Sequence, residues 1–357
     1  MTDARIVKLA DILVNYSLRV APGEKILISG STEAAPLIKE VYKAVLKAGG
    51  HPMTDVHLPG TLGLLLKEGT EEQVGFAGWT ELMYYYLDGY VNILSDTNTK
   101  ELTNVPSSRM RIRSKSRRPA LDRLMRGEAK WVLTKFPTAA FAQDAEMSLK
   151  EFEDFVYGAA IADYAEMERS MLAAAEKFDA ASKVRIVGTN GTDITVDIEG
   201  RKAIIAAGKN NVPDGEFYYT PNFRKTEGTI YFEWPTVFRG REISGIRLTF
   251  RAGKVIEASA EKGQAFLEEA LDTDEGARYL GELGIGANFG ITQPTKDILF
   301  DEKIGGSVHL ALGQAYEQGG PDGNKSALHW DIVKGLVDGG ELYLDGVLVQ
   351  KNGKWVF

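Results

Sequence analysis

The sequence predicts α/β plus α+β: an N-terminal α/β domain with a largely parallel sheet, then a β-rich C-terminal domain with mainly antiparallel strands. Three observations predict it. Short apolar runs alternate with helical spacings through the first half, the rhythm of strand-helix-strand units. In the second half the apolar runs lie close together and are joined by turn residues such as Asn190-Gly191, the mark of hairpins. At 357 residues the chain also exceeds what a single core usually organises. Two domains, 1–180 and 181–357, are therefore expected.

The opening stretch MTDARIVKLADILVNY places Ile6, Leu9 and Leu13 on one helical face. With an early aspartate and no cationic leader it reads as a helix of the mature protein. EKILISG (24–30) reads as a buried strand, after which Ser31 or Thr32 caps a helix with Leu37, Val41 and Val45 on one side and Gly49-Gly50 at its end. PMTDVHL (52–58), YVNILS (90–95) and WVLTKF (131–136) are further strands with helices between them. SGSTEAAP, following the first strand, lacks the glycine spacing of a dinucleotide or phosphate loop, so no nucleotide is indicated. The basic run SRMRIRSKSRRPALDRLMR (108–126) reads as a solvated loop and helix face, with docking of a partner subunit or an anionic substrate end as the functional alternative. Two helical segments fill about 148–178. VRIVGTNGTDITVDI (184–198) is a hairpin, and IRLTFRAGKVIEA (246–258) is a second one turning at Ala252-Gly253.

Composition narrows the function. The chain is 44% apolar and 26% charged, enough for a sizeable core on a soluble protein. A net charge of −8 argues against nucleic-acid or anionic-membrane binding, which needs a basic surface. No stretch approaches the roughly 18 apolar residues of a membrane span. A cytoplasmic location is expected. Cysteine is absent, which removes disulfides, thiolate catalysis and cysteine-based zinc sites. Any metal must be held by histidine, carboxylates, carbonyls or water.

Histidine is scarce, with four in the chain. His51 and His57 read as surface or packing residues. The other two lie on C-terminal strands of period two. In GGSVHLALG, His309 alternates with Val308 and Leu310, and in SALHWDIV, His329 and Asp331 share the face opposite Leu328, Trp330 and Ile332. A lone His-x-Asp can be a structural hydrogen bond or half of a metal site. Carboxylates at Glu216 in VPDGEFYYTP, at Glu282 in GELGIG and at Glu302 in FDEKIGG complete the constellation, with Gly281 expected to end a helix before the Glu282 strand. Two histidines with several carboxylates and no thiol suit a hydrolytic pair of Zn, Mn or Co ions.

VPDGEFYYTP, GELGIG, FDEKIGGSVHLALGQAY and SALHWD, in this order, resemble the metallo-aminopeptidase family typified by aminopeptidases T and S. The resemblance implies a two-metal site with Glu216, Glu282, Glu302, His309, His329 and Asp331 as ligands and Glu282 as the bridge. It implies that Tyr316, seven residues after His309, is the active-site tyrosine. It implies short peptides as substrates and a homodimer. The sequence departs from the family at IGGSVH, where the link from glutamate to histidine is longer, so Asp301 competes with Glu302 as ligand. The expected reaction is metal-dependent release of N-terminal residues, with either Glu282 or a metal-bound hydroxide managing the protons. The alternative is a mononuclear-iron, ring-opening dioxygenase of the dihydroxypyridine type, which needs only His309, His329 and Asp331.

Overall fold

The computed structural model describes residues 3–320 and 322–357. The chain divides into two compact units, Met1–Ile161 with Gly208–Pro213, and Ala162–Ala207 with Asp214–Phe357. The first is built on a parallel sheet in the order His51–His57, Lys25–Ser31, Gly89–Leu94, Lys130–Lys135, Asn211–Val212. Lys25–Ser31 is buried at six of its seven positions, as a strand inside a parallel sheet must be. The following helix, Ala35–Lys47, buries Leu37, Ile38, Val41 and Val45, and the Ser31 hydroxyl accepts from the Glu33 amide at the turn leading into it. His51–His57 is the edge strand, and both its histidines are exposed.

The basic run folds as one helix, Ser107–Met125. Its arginines have partners that the sequence does not reveal. Arg109 donates to the carbonyls of Leu66 and Gly69, Arg113 to that of Phe76, and Arg123 to those of Tyr84 and Leu87. These carbonyls end the helices Thr61–Glu68, Glu71–Gly75 and Gly78–Tyr86. A guanidinium at a helix C-terminus satisfies orphan acceptors and opposes the negative end of the helix dipole. Part of the run is thus internal scaffolding, in place of a wholly solvated face.

The second unit holds two larger antiparallel sheets. One has eight strands, in the order Lys254–Ser259, Ile246–Arg251, Glu227–Phe232, Thr192–Asp197, Lys183–Gly188, Glu341–Leu344, Val347–Lys351, Lys354–Trp355. The other has five, in the order His329–Gly335, Ser307–Gly313, Leu280–Gly286, Glu216–Tyr219, Ile204–Ala206. Both predicted hairpins are present in the first sheet. Their turns use Asn190-Gly191 and Ala252-Gly253 with positive φ at each residue, the backbone twist that two-residue hairpins favour. Side chains from both sheets share one apolar cluster that includes Val184, Ile194, Phe217, Leu283, Leu310 and Trp330.

The division falls after residue 161, not at 180. The reason lies in the helix Tyr164–Asp179, which buries Met171, Ala174, Ala175 and Phe178 in the second unit's core. Phe178 meets Phe217 edge-on, with ring centroids 5.2 Å apart. A helix belongs to the unit that covers its apolar face, and periodicity alone does not identify that cover.

Candidate metal centre

Leu280–Gly286 is buried at every position and pairs with Glu216–Tyr219 on one side and Ser307–Gly313 on the other. Ser307–Gly313 in turn pairs with His329–Gly335. The register sets each functional side chain beside a small one. Glu282 and Asp331 flank Ala311, His309 lies opposite Gly284, and His329 lies opposite Gly313. A Cβ built on Gly284 would lie 1.9 Å from the His309 ring. Glycine there is the space the imidazole fills.

Gly281 does not end a helix. It sits inside the strand at a register shift between Leu280 and Glu282, where a Cβ would come within 2.3 Å of the Gln314 carbonyl oxygen. The preceding segment, Glu275–Arg278, is a single 3-10 turn. Such an irregularity re-aims the side chain that follows it, here Glu282.

Two backbone carbonyls orient the imidazoles. His309 Nδ1 donates to the Glu302 carbonyl at 3.0 Å and His329 Nδ1 to the Gln314 carbonyl at 2.7 Å. In each neutral ring this directs the Nε2 lone pair at the carboxylates. His309 Nε2 is 3.2 Å from Glu282 Oε1 and 3.5 Å from Glu216 Oε2, while His329 Nε2 is 3.2 Å from Asp331 Oδ2 and 3.9 Å from Glu282 Oε2. Lone pair facing lone pair at these distances is repulsive unless a proton or a metal cation lies between.

Charge in the cluster reflects that demand. Burial opposes a positive His309, but Glu282 and Glu216 overcome it and push its pKa up to about 10. His329 follows the same pattern, with Asp331 and Glu282 outweighing burial and raising it to about 9. Burial lifts Glu216 and Glu282 above the ordinary carboxylate range. Asp331 is held below it, because the two histidines outweigh the effect of burial.

The donor set fits a divalent cation. Glu282, His309 and Asp331 offer atoms that all lie within 4.8 Å of one another. Ligands at about 2.1 Å in a tetrahedron are about 3.4 Å apart, which the 3.2 to 3.9 Å spacings bracket. Oε2 of Glu282 and of Glu216 are buried without a hydrogen-bond partner, and a buried carboxylate oxygen left in that state normally has a cation to meet.

The remaining expected residues divide. The Glu302 side chain is largely buried and accepts from the Lys303 ammonium. Asp301 points elsewhere, accepting from the Thr295 amide at 2.7 Å and the Thr295 hydroxyl at 3.0 Å, and burial raises its pKa to about 7. The Tyr316 ring packs at a tilt against the His329 ring, with centroids 5.0 Å apart and planes at 55°, and its centroid lies 5.6 Å from that of Tyr218. Partial desolvation, then the negative charges of Glu282 and Asp331, keep its phenol protonated far above the ordinary value, although 46% of the residue is open to solvent. Trp330, on the opposite strand face, stacks on Phe238 with planes 16° apart.

Lys303 is the residue that sequence reasoning missed. It is fully buried, with Nζ 3.5 Å from Glu216 Oε1 and in contact with Glu302 Oε1. Burial opposes its charge, and Glu216 and Glu302 restore it and raise the pKa. A lysine beside a glutamate in FDEKIGG reads as surface. Only the sheet brings Glu216, from 87 residues earlier, against it. Gln314 was invisible for a different reason, since it acts through its backbone.

Aminopeptidase T of Thermus thermophilus is 24% identical over 405 residues, which span 98% of both chains. The solved structure of wild-type AmpT from Thermus thermophilus superposes with a TM-score of 0.86 at 23% identity, covering 99% of each chain. A 2,5-dihydroxypyridine dioxygenase from Pseudomonas putida KT2440 gives 0.66 at 13% identity over 100% of this chain and 98% of its own, a likeness of fold alone. Residues 2–355 match the thermophilic metalloproteases, whose need for a metal agrees with a buried cluster of carboxylates and imidazoles. The chain belongs to the thermophilic metalloprotease (M29) family.

Proposed function

We propose that this chain is a metal-dependent aminopeptidase that releases N-terminal residues from short peptides. The observation that carries the reading is the convergence of Glu282, His309 and Asp331 within 4.8 Å on a chain whose whole length matches a metalloprotease family. Glu282, His309, His329 and Asp331 hold a divalent ion, Zn, Mn or Co. When bound, such an ion polarises the scissile carbonyl and lowers the pKa of water toward neutrality. The carbonyls of Glu302 and Gln314 hold both imidazoles in the tautomer that presents Nε2. Glu282 stands between His309 and His329 and is the group we assign to moving the proton from water to the leaving amine. Tyr316 donates to the oxyanion, a contribution of about 2.7 to 4 kcal/mol for a typical donor of that kind. Glu216 and Glu302, the other two carboxylates of the expected set, face the ammonium of Lys303.

The iron dioxygenase alternative has only the fold likeness behind it and leaves Glu282 without a role. A homodimer and a cytoplasmic location accompany the peptidase reading through the family resemblance. Among the described residues no helix is long and apolar enough to cross a membrane. The test is amino-acid release from a dipeptide panel by metal-stripped protein reloaded with Zn, Mn or Co, beside Glu282→Gln. Hydrolysis that returns with metal and falls by about a hundredfold or more in the variant is expected. Oxygen uptake with a dihydroxypyridine, and no hydrolysis, would replace this reading with the alternative.

A further inference from the structure

The six expected ligands imply two cations, yet the structure already places one positive charge among them. Lys303 has no solvent exposure, and its ammonium lies between Glu216 and Glu302. Glu216 links this ammonium to the donor cluster, with Oε1 toward Lys303 and Oε2 toward His309 Nε2. Two ions of a hydrolytic pair sit about 3.5 to 4 Å apart and share such carboxylates. Here the ammonium of a side chain faces Glu216 Oε1 and Glu302 Oε1.

We propose that the chain binds a single divalent ion, at Glu282, His309, His329 and Asp331, and that the Lys303 ammonium takes the place of a second ion between Glu216 and Glu302. The physical argument is charge and space together. Glu216 and Glu302 need a counter-charge when buried, and an ammonium supplies it without leaving the chain. A dication brought to the same carboxylates would meet a fixed positive charge at contact distance, in surroundings that screen poorly. The lysine cannot retreat into solvent, because the residue is enclosed.

The inference rests on the metal-dependent aminopeptidase reading, and stoichiometry separates the two. Metal-stripped full-length protein is titrated with Mn2+, and bound metal is counted by elemental analysis and by electron paramagnetic resonance, alongside dipeptide hydrolysis. The wild type is expected to take up about one ion per chain with the spectrum of an isolated Mn2+, and Lys303→Ala about two, with the broadening of a coupled pair. Lys303→Gln serves the same purpose if the alanine variant does not fold, since it retains a donor for Glu302. Two ions in an active wild type would overturn the inference and leave the peptidase reading intact. One ion in both wild type and variants would remove Lys303 from this role. No bound ion and no hydrolysis would overturn both.

Discussion

Gly284 has no side chain because the His309 ring occupies that space, and the site rests on several such concessions of volume. Ala311 separates Glu282 from Asp331, and Gly313 lies across from His329. Gly284→Ala would place a methyl group 1.9 Å from Cε1 and Nε2 of His309. The strand is enclosed, so the imidazole must move. We expect metal affinity to fall by about 10- to 100-fold, as when a metal-orienting group is lost, and stability to fall by about 1 to 3 kcal/mol from overpacking. Calorimetric metal titration and urea unfolding read the two effects. Unchanged affinity would show that the ring position is not critical. At this scale the sequence displays the chemistry, because His309, His329 and Asp331 advertise themselves by type and period. The conditions that let them meet lie in glycines and in the carbonyls of Glu302 and Gln314, whose residue types announce nothing.

Between residues and fold, elements are held in place by charges at their ends. Arg123 closes the helix Gly78–Tyr86, and Arg109 closes Thr61–Glu68. Nearer the site, Asp274 ties down the segment leading into the His329 strand, accepting from the Ala327 amide at 2.6 Å and the Ser326 hydroxyl at 2.7 Å. These bonds hold its pKa below the ordinary carboxylate value, against a small opposing effect of burial. A depressed acid stabilises the folded chain above the unfolded value of about 3.9, and that stabilisation is lost as pH falls through the lower folded value. Asp274→Asn should therefore cost about 1 kcal/mol at pH 7, at the low end for a bond to a charged group because the carboxylate is exposed. It should also flatten the loss of stability below about pH 4. Denaturant unfolding from pH 7 to pH 3 tests this, and parallel profiles for the two proteins would remove Asp274 from the tether.

For the molecule as a whole, the second unit concentrates buried charge in its five-stranded sheet. Glu216, Glu282, Lys303 and His309 are all buried there or beside it, and such groups are costly unless compensated. A bound divalent ion should stabilise this unit by mass action, by about 2.7 kcal/mol at a hundredfold excess over Kd. Hydrogen exchange with and without chelator is the measurement, and slower exchange with metal is expected along Leu280–Gly286, Ser307–Gly313 and His329–Gly335. Equal exchange in both conditions would show that the ion does not act through these strands. The sequence alone determined the alternation of strand and helix, both hairpins and the candidate donors, because periodicity, turn residues and side-chain chemistry are local properties. Tertiary structure alone decided that Tyr164–Asp179 joins the second unit, that Gly281 forms an irregularity inside a strand, that Asp301 turns to Thr295, and that Lys303 stands among the carboxylates. Each of these depends on which distant segment covers a face or supplies a partner. Packing across the sheets sets that, and no local pattern encodes it.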